Sequence, residues 1–179
     1  AIGAPDWFKV SGQFRTRFEN LSERFKIIQD EGSGQILVLR TLLAMTLQDE
    51  FLSVTTELED SRAYGYPSDE ILSTGQINAV ELLQAYVRAD FTDMFTGGDK
   101  TRVKLGRQTM DMGSRRFVAR NRYRNTINSF LGANARWEDN TGRAVEAFFT
   151  SPTIRLPNAG DQAALENNEI KFDKEFADN

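Results

Sequence analysis

The chain has 179 residues, no cysteine, no histidine and a formal net charge of −4. The missing residue types exclude disulfides, thiolate and imidazole metal sites, cysteine nucleophiles and Ser-His-Asp catalysis. No run of about 20 apolar residues is present, which excludes a helical membrane span. Because the chain is acidic overall, a nucleic-acid partner is not expected, and we predict no catalytic residue, cofactor or metal.

Alternation of apolar and polar residues predicts about seven strands, since a period of two residues is typical of a strand with one apolar face. Val38 and Leu42 interrupt the polar face of the second stretch, so an amphipathic helix remains an alternative there. Arg107 falls on the apolar face of the fifth stretch, which requires a bulge or a strand end. The predicted strands cover residues 8–20, 36–48, 52–61, 80–91, 101–108, 130–138 and 144–150.

Connections of different length alternate along the chain. The links at 48–50 and 139–142 are short, the one after the fourth strand is intermediate, and those after the first, third and fifth strands are long. Outer-membrane barrels have short periplasmic turns and long external loops. We therefore predict an all-β fold, an antiparallel meander forming part of a transmembrane β-barrel, with residues 158–179 as a further external loop.

The two faces of the predicted strands would then be inverted relative to a soluble protein, with apolar residues in lipid and charged residues around an aqueous interior. A soluble β-sandwich that binds an acidic carbohydrate, with the apolar faces as its core, remains the alternative. In the barrel interpretation, the residues predicted to face hydrocarbon are Leu39, Leu43, Leu83, Val87, Leu131 and Ala133.

Four segments carry a family resemblance: ELEDSRAYG at 57–65, LLQAYVRADF at 82–91, VKLGRQTMDMGSRRFVARNRYRNT at 103–126 and GRAVEAFFTSP at 142–152. The most specific is Leu-Gly-Arg-Gln at 105–108, followed by an arginine-bearing loop that ends in Arg124 and Asn125. These segments resemble the alginate-export family of bacterial outer-membrane β-barrels. The resemblance implies an outer-membrane location, contact with membrane lipid, and an electropositive pore for anionic polysaccharide or small anions, without an enzymatic step.

Members of that family are large barrels, and seven strands alone would leave two unpaired edges in hydrocarbon. We therefore expect residues 1–179 to be the N-terminal portion of a longer barrel.

Five arginines lie within ten residues in MGSRRFVARNRYRNT, residues 112–126. Such a run is either a solvated loop or, where a long loop folds into a porin-like lumen, part of an anion-selective constriction. In the second interpretation the predicted pore-lining cations are Arg15, Arg17, Arg40, Arg88, Lys104, Arg115, Arg116, Arg120, Arg122, Arg124 and Arg136. The predicted pairing carboxylates are Glu19, Glu57, Glu59 and Glu146, together with Asp90 and Glu138.

Glu57 and Glu59 lie two residues apart on one strand face, a spacing that also suits the paired carboxylates of a glycosidase. Nothing else in the sequence supplies an active-site pocket. The pairing of these carboxylates with interior arginines is therefore the favoured interpretation.

Overall fold

The computed structural model describes residues 5–21, 34–65, 72–116, 118–121 and 123–175. Within these ranges one antiparallel sheet forms, and each strand pairs with the next in sequence. The predicted seven-stranded meander is confirmed, and the helical alternative for residues 36–48 is wrong. The elements are β1 (Phe8–Leu21), β2 (Gly34–Gln48), β3 (Leu52–Tyr64), β4 (Asn78–Thr92), β5 (Lys100–Gln108), β6 (Phe130–Glu138), β7 (Ala144–Pro152) and a short helix, α1 (Gln162–Glu166).

The sheet is open, with β1 and β7 as its edges. Short connections at 49–51, 93–99 and 139–143 lie at one end, which we call the short-turn end. The described parts of connections 65–77 and 109–129, and the segment 153–175, lie at the opposite, long-loop end. The connection 22–33 lies outside the described residues. The segregation of short and long connections is therefore confirmed for the described links.

One face of the sheet, the outer face, is apolar and bare. It carries 16 large apolar side chains that are at least 37% exposed: Val10, Phe14, Phe18, Leu43, Met45, Leu47, Leu52, Val54, Leu58, Leu82, Val87, Phe91, Val103, Leu105, Val145 and Phe149. A soluble sandwich would bury such a face against a second sheet, and the described part of the chain contains none. A monomeric soluble protein rarely exposes a contiguous apolar face of this kind.

The opposite, inner face is polar toward the short-turn end and covered by loops at the long-loop end. Two apolar clusters lie under those loops. Val38 packs in one of them with Ile36, Ala63, Leu72, Ile77 and Leu165. Leu42 packs in the other with Leu83 and Ile127. Val38 and Leu42 interrupt the polar pattern of β2 because loops, not water, cover the inner face there.

Leu83 does not face outward as predicted. The pairing of β3 with β4 passes from Glu57 opposite Gln84 to Leu58 opposite Leu82, so Leu83 is the extra residue of a β-bulge. The bulge places Leu82 on the outer face and Leu83, 1% exposed, on the inner face. Leu43 and Val87 are exposed on the outer face as predicted, and Leu39, Leu131 and Ala133 are partly exposed.

Arg107 also lies on the inner face, where its side chain is 7% exposed. The residue before it, Gly106, has a φ of +126°, and a Cβ atom there would lie 2.4 Å from the carbonyl oxygen of Ala85. Only glycine is compatible with that backbone path. The altered path next to the end of β5 turns Arg107 inward, which resolves its misfit with the alternation.

Candidate functional site

The connection 109–129, which we call the arginine loop, folds back over the inner face of the sheet. Its main anchor is Asn125, which is 1% exposed. The side-chain amide nitrogen lies 2.9 Å from the carbonyl oxygen of Leu39, 3.2 Å from that of Arg62 and 2.7 Å from that of Gln76. One side chain therefore ties the loop to β2, β3 and the connection after β3.

Arg120 fastens the middle of the loop to β3. Its two terminal nitrogens lie 2.6 and 2.8 Å from the carboxylate oxygens of Glu57, a bidentate ion pair. Arg120 also donates to the Thr109 hydroxyl at 3.1 Å, and Glu57 accepts a further hydrogen bond from Gln84. The charge of Arg120 is thus largely compensated by a carboxylate whose side chain is only 8% exposed.

Three predicted pore-lining arginines on β1 and β2 contact the backbone of the loop. Arg15 donates to the carbonyl oxygen of Arg124 at 2.7 Å, and Arg40 donates to the same oxygen at 3.4 Å. Arg17 donates to the carbonyl oxygen of Tyr123 and lies over its ring, 5.0 Å from the centroid. These guanidinium groups support the loop from the strands.

The remaining described arginines of the loop are exposed to solvent. Arg115 is 54% exposed and pairs with Asp111 at 3.0 Å, and Arg116 and Arg124 are exposed. Arg122 lies outside the described residues. The run therefore contains two kinds of arginine, one that anchors the loop and one that faces solvent.

Toward the short-turn end the inner face is open. Arg88 pairs with Asp90 at 2.7 Å, and the Lys104 ammonium lies 5.0 Å from the centroid of the Tyr86 ring. A recess of about 370 Å³ opens here between strands and loop. Its lining includes Gln84, Tyr86, Arg102, Lys104, Asn134 and Arg136. Arg102, absent from the predicted set, lies on this face because its register partners are Asp90 and Arg136.

Most of the predicted carboxylates pair with cations of the inner face. Glu19 lies 2.5 Å from Arg17, and Arg136 lies 2.9 Å from Glu138 and 3.7 Å from Glu146. Each distance is within contact range for an ion pair. The strand-borne cations therefore have counter-charges on the same face.

Glu59 is different, because its side chain is fully buried. It accepts hydrogen bonds from the Ser61 hydroxyl at 2.9 Å and from the backbone N–H of Ile127 at 3.1 Å. A carboxylate with no exposed surface cannot reach a bound sugar. The pair of Glu57 and Glu59 therefore does not have the geometry of a glycosidase site.

Sequence reasoning missed a buried cluster on the same face. The Arg107 guanidinium lies 3.0 Å from Glu81 and 2.9 Å from Asp173, and all three side chains are at most 7% exposed. The available signal was Arg107 itself, the charged residue at a position predicted to be apolar. Its partners come from β4 and from the segment after β7, so no local pattern links them.

Aspartates fix the backbone of two short turns. Asp99 accepts hydrogen bonds from the backbone N–H groups of residues 94–96 and, at 2.7 Å, from the indole N–H of Trp137. Asp139 accepts from the backbone and side chains of Thr141 and Arg143. Both turns are therefore defined by side chains, and Trp137 is held at the short-turn end.

Comparison with known families identifies the chain. Residues 6–172 match a family described as alginate export. The chain belongs to the alginate export family. The resemblance carried by Leu-Gly-Arg-Gln at 105–108 and the loop that follows is thereby confirmed, and alginate export names the process with which this family is associated. No curated protein and no solved structure matches the chain.

No helix within the described ranges is long and apolar enough to cross a membrane. Among the same residues, no group of three or more acidic side chains has the arrangement of a metal site.

Proposed function

We propose that this member of the alginate export family is part of an outer-membrane channel for an anionic polysaccharide or for smaller anionic solutes, with no enzymatic step. The observation that carries the proposal is the inversion of the sheet, whose bare outer face is apolar and whose inner face carries the charged side chains. Lipid is the solvent that suits the first face, and a water-filled lumen suits the second. The family match adds a polysaccharide as the class of solute.

We propose that further strands complete the sheet. Unpaired backbone groups at the edges of β1 and β7 would be costly in hydrocarbon, where water cannot bind them. We propose that residues 1–179 are the N-terminal portion of a closed barrel, that the long loops are external, and that the short turns are periplasmic.

Cations with different surroundings contribute differently to the proposed selectivity. Arg120 is neutralised by Glu57, and Arg15 and Arg40 are committed to loop carbonyl groups. A passing anion would instead meet the cations that lie in the open half of the inner face or on the exposed side of the loop. These are Lys104, Arg116 and Arg124, together with Arg88, Arg102 and Arg136, whose charges are partly compensated by Asp90, Glu138 and Glu146.

Reversal potentials of the full-length channel in planar bilayers under a salt gradient would test this. We expect the combined Lys104→Gln, Arg116→Gln and Arg124→Gln variant to lower the anion-to-cation permeability ratio. The loss should shrink near 1 M salt, where the Debye length is about 3 Å. Arg62→Gln is the matched control, because Arg62 pairs with Asp60 and lies on the outer face. An unchanged ratio in the combined variant would show that these cations do not set selectivity.

A further inference from the structure

The segment 153–174 folds over the long-loop end of the inner face, and we call it the lid. Its two ends are joined by an antiparallel bridge, in which Ile154 and Lys174 exchange backbone hydrogen bonds of 2.8 and 2.9 Å. Leu165, at the end of α1, is fully buried in the cluster that contains Val38. The side chain of Asn168 exchanges hydrogen bonds of 2.9 and 3.0 Å with the backbone of Ala63. The lid is therefore a closed loop seated on the ends of β2 and β3.

A buried ionic cluster joins both ends of the lid to the sheet. Arg107 of β5 contacts Glu81 of β4 at 3.0 Å and Asp173 of the lid at 2.9 Å. The backbone N–H of Asp173 donates to Glu81 at 2.7 Å, and the backbone N–H of Leu156 donates to Asp173 at 3.0 Å. Opening the lid would therefore separate Asp173 from both of its charged partners.

The cluster holds one guanidinium and two carboxylates, so it carries one surplus negative charge when all three groups are ionised. Neutral groups complete it: the Asn78 amide lies 3.4 Å from Asp173, and the Ser129 hydroxyl accepts from Arg107 at 3.1 Å. Arg155 of the lid lies between two acidic groups, since it interacts with Asp173 and with Glu59 of β3. Burial, followed by repulsion from Glu81, raises the pKa of Asp173 to about 6.

We propose that Glu81, Arg107 and Asp173 form a latch that keeps the lid closed, and that uptake of a proton by this cluster strengthens the latch. In the open lid Asp173 would meet water, where the usual pKa of its carboxyl is 3.8. At a pH between these two pKa values, closure of the lid takes up a proton. The free energy that favours closure therefore decreases as the pH rises from about 4 to about 6. Above that range the latch holds an unneutralised charge, and the lid opens more often.

Opening of the lid would control access to the interior whichever solute passes. Its test is therefore a chemical one, made on the full-length protein in detergent or nanodiscs. None of the 179 residues is cysteine, which allows a single thiol to be introduced into this part. Ala164→Cys places the thiol under the lid, where Ala164 is 2% exposed. Ala159→Cys is the matched control, because Ala159 is exposed on the same lid.

The rate of maleimide labelling at position 164, divided by that at position 159, reports how often the lid opens and removes the effect of pH on thiol reactivity. We expect this ratio to rise roughly tenfold between pH 5 and pH 7. The pKa shifts from 3.8 to about 6, and about one pH unit of that interval lies in the range tested. A ratio that is equal at the two pH values would overturn the proposal.

Substitutions at the latch test whether its own carboxylates carry the pH response. In the Asp173→Asn background the ratio should no longer depend on pH, because the amide does not titrate. Glu81→Gln should shrink the response while keeping the Arg107–Asp173 pair that holds the lid. Glu169→Gln, which changes an exposed carboxylate of the lid, should leave the response intact. Retention of the full pH response in Asp173→Asn would overturn the proposal.

Discussion

The arginines of the arginine loop differ in whether they contact a buried carboxylate or solvent. Arg120 makes a bidentate ion pair with Glu57 under the arginine loop, whereas Arg116, four residues earlier, is exposed. Both belong to the same run of basic residues. The role of an arginine in this run therefore depends less on its residue type than on how deeply the group that it contacts is buried.

Replacement of Arg120 by Gln should loosen the arginine loop, because Glu57 would be left buried without its charged partner. We expect a loss of roughly 1–3 kcal/mol in stability, discounted for the partial exposure of Arg120. Thermal unfolding and limited proteolysis of the loop would measure it. Arg116→Gln is the control and should change neither. The double variant Glu57→Gln with Arg120→Gln should recover part of the loss, and no recovery would argue against the pair as the cause.

Asp139 should make the stability of the last short turn depend on pH. Burial alone would raise the pKa of this carboxyl, but the hydrogen bonds from Thr141 and Arg143 outweigh it and lower the pKa to about 2. Because the folded pKa is below the usual 3.8, the stabilisation is complete above pH 4 and is lost as the pH falls toward 2. Urea unfolding at pH 5, 3 and 2 should show Asp139→Asn less stable than the parent at pH 5, with a gap that closes on acidification. A gap of constant size would contradict the assignment of the shift to Asp139.

At the scale of elements, alternation predicted all seven strands, because the period of side chains along a strand is a local property of the backbone. The orientation of Leu83 could not be predicted, since a bulge adds one residue without any change in composition. The buried roles of Arg107, Glu81 and Asp173 were equally hidden. They depend on contacts between β4, β5 and the lid, which are distant in sequence.

Neighbouring residues on β2 allow a test of the two faces. Leu43 is 42% exposed on the outer face, and Ala44 lies on the inner face opposite Ser11 and Glu57. Leu43→Arg should lower the stability of the folded protein in the membrane by about 2–4 kcal/mol, the cost of a cation near the bilayer midplane, and should therefore impair assembly. Ala44→Arg should be tolerated, because it enters an aqueous, partly acidic surface. Yields of heat-modifiable, folded protein in the membrane fraction would compare them. Equal tolerance of both variants would count against the inverted sheet.

For the whole molecule, the proposed orientation can be tested from outside the cell. A cysteine at Asn140, in the turn between β6 and β7, should resist a membrane-impermeant thiol reagent on intact cells and react after lysis. A cysteine at Ala159, at the long-loop end, should react on intact cells. Efficient external labelling at position 140 would reverse the orientation that we propose.

The directions of the two edge strands restrict the number of further strands that could close the sheet. β1 and β7 are the first and last of an odd number of antiparallel strands, so both run from the short-turn end toward the long-loop end. An all-antiparallel closure therefore needs an odd number of added strands, and the one beside β7 must run toward the short-turn end. If copies of this sheet were inserted in one membrane with the same orientation, all of their edge strands would run in the same direction. The edges of two copies could then pair only as parallel strands. Such copies cannot complete an antiparallel ring by themselves, so in the closed barrel that we propose the further strands come from polypeptide that does not repeat this sheet.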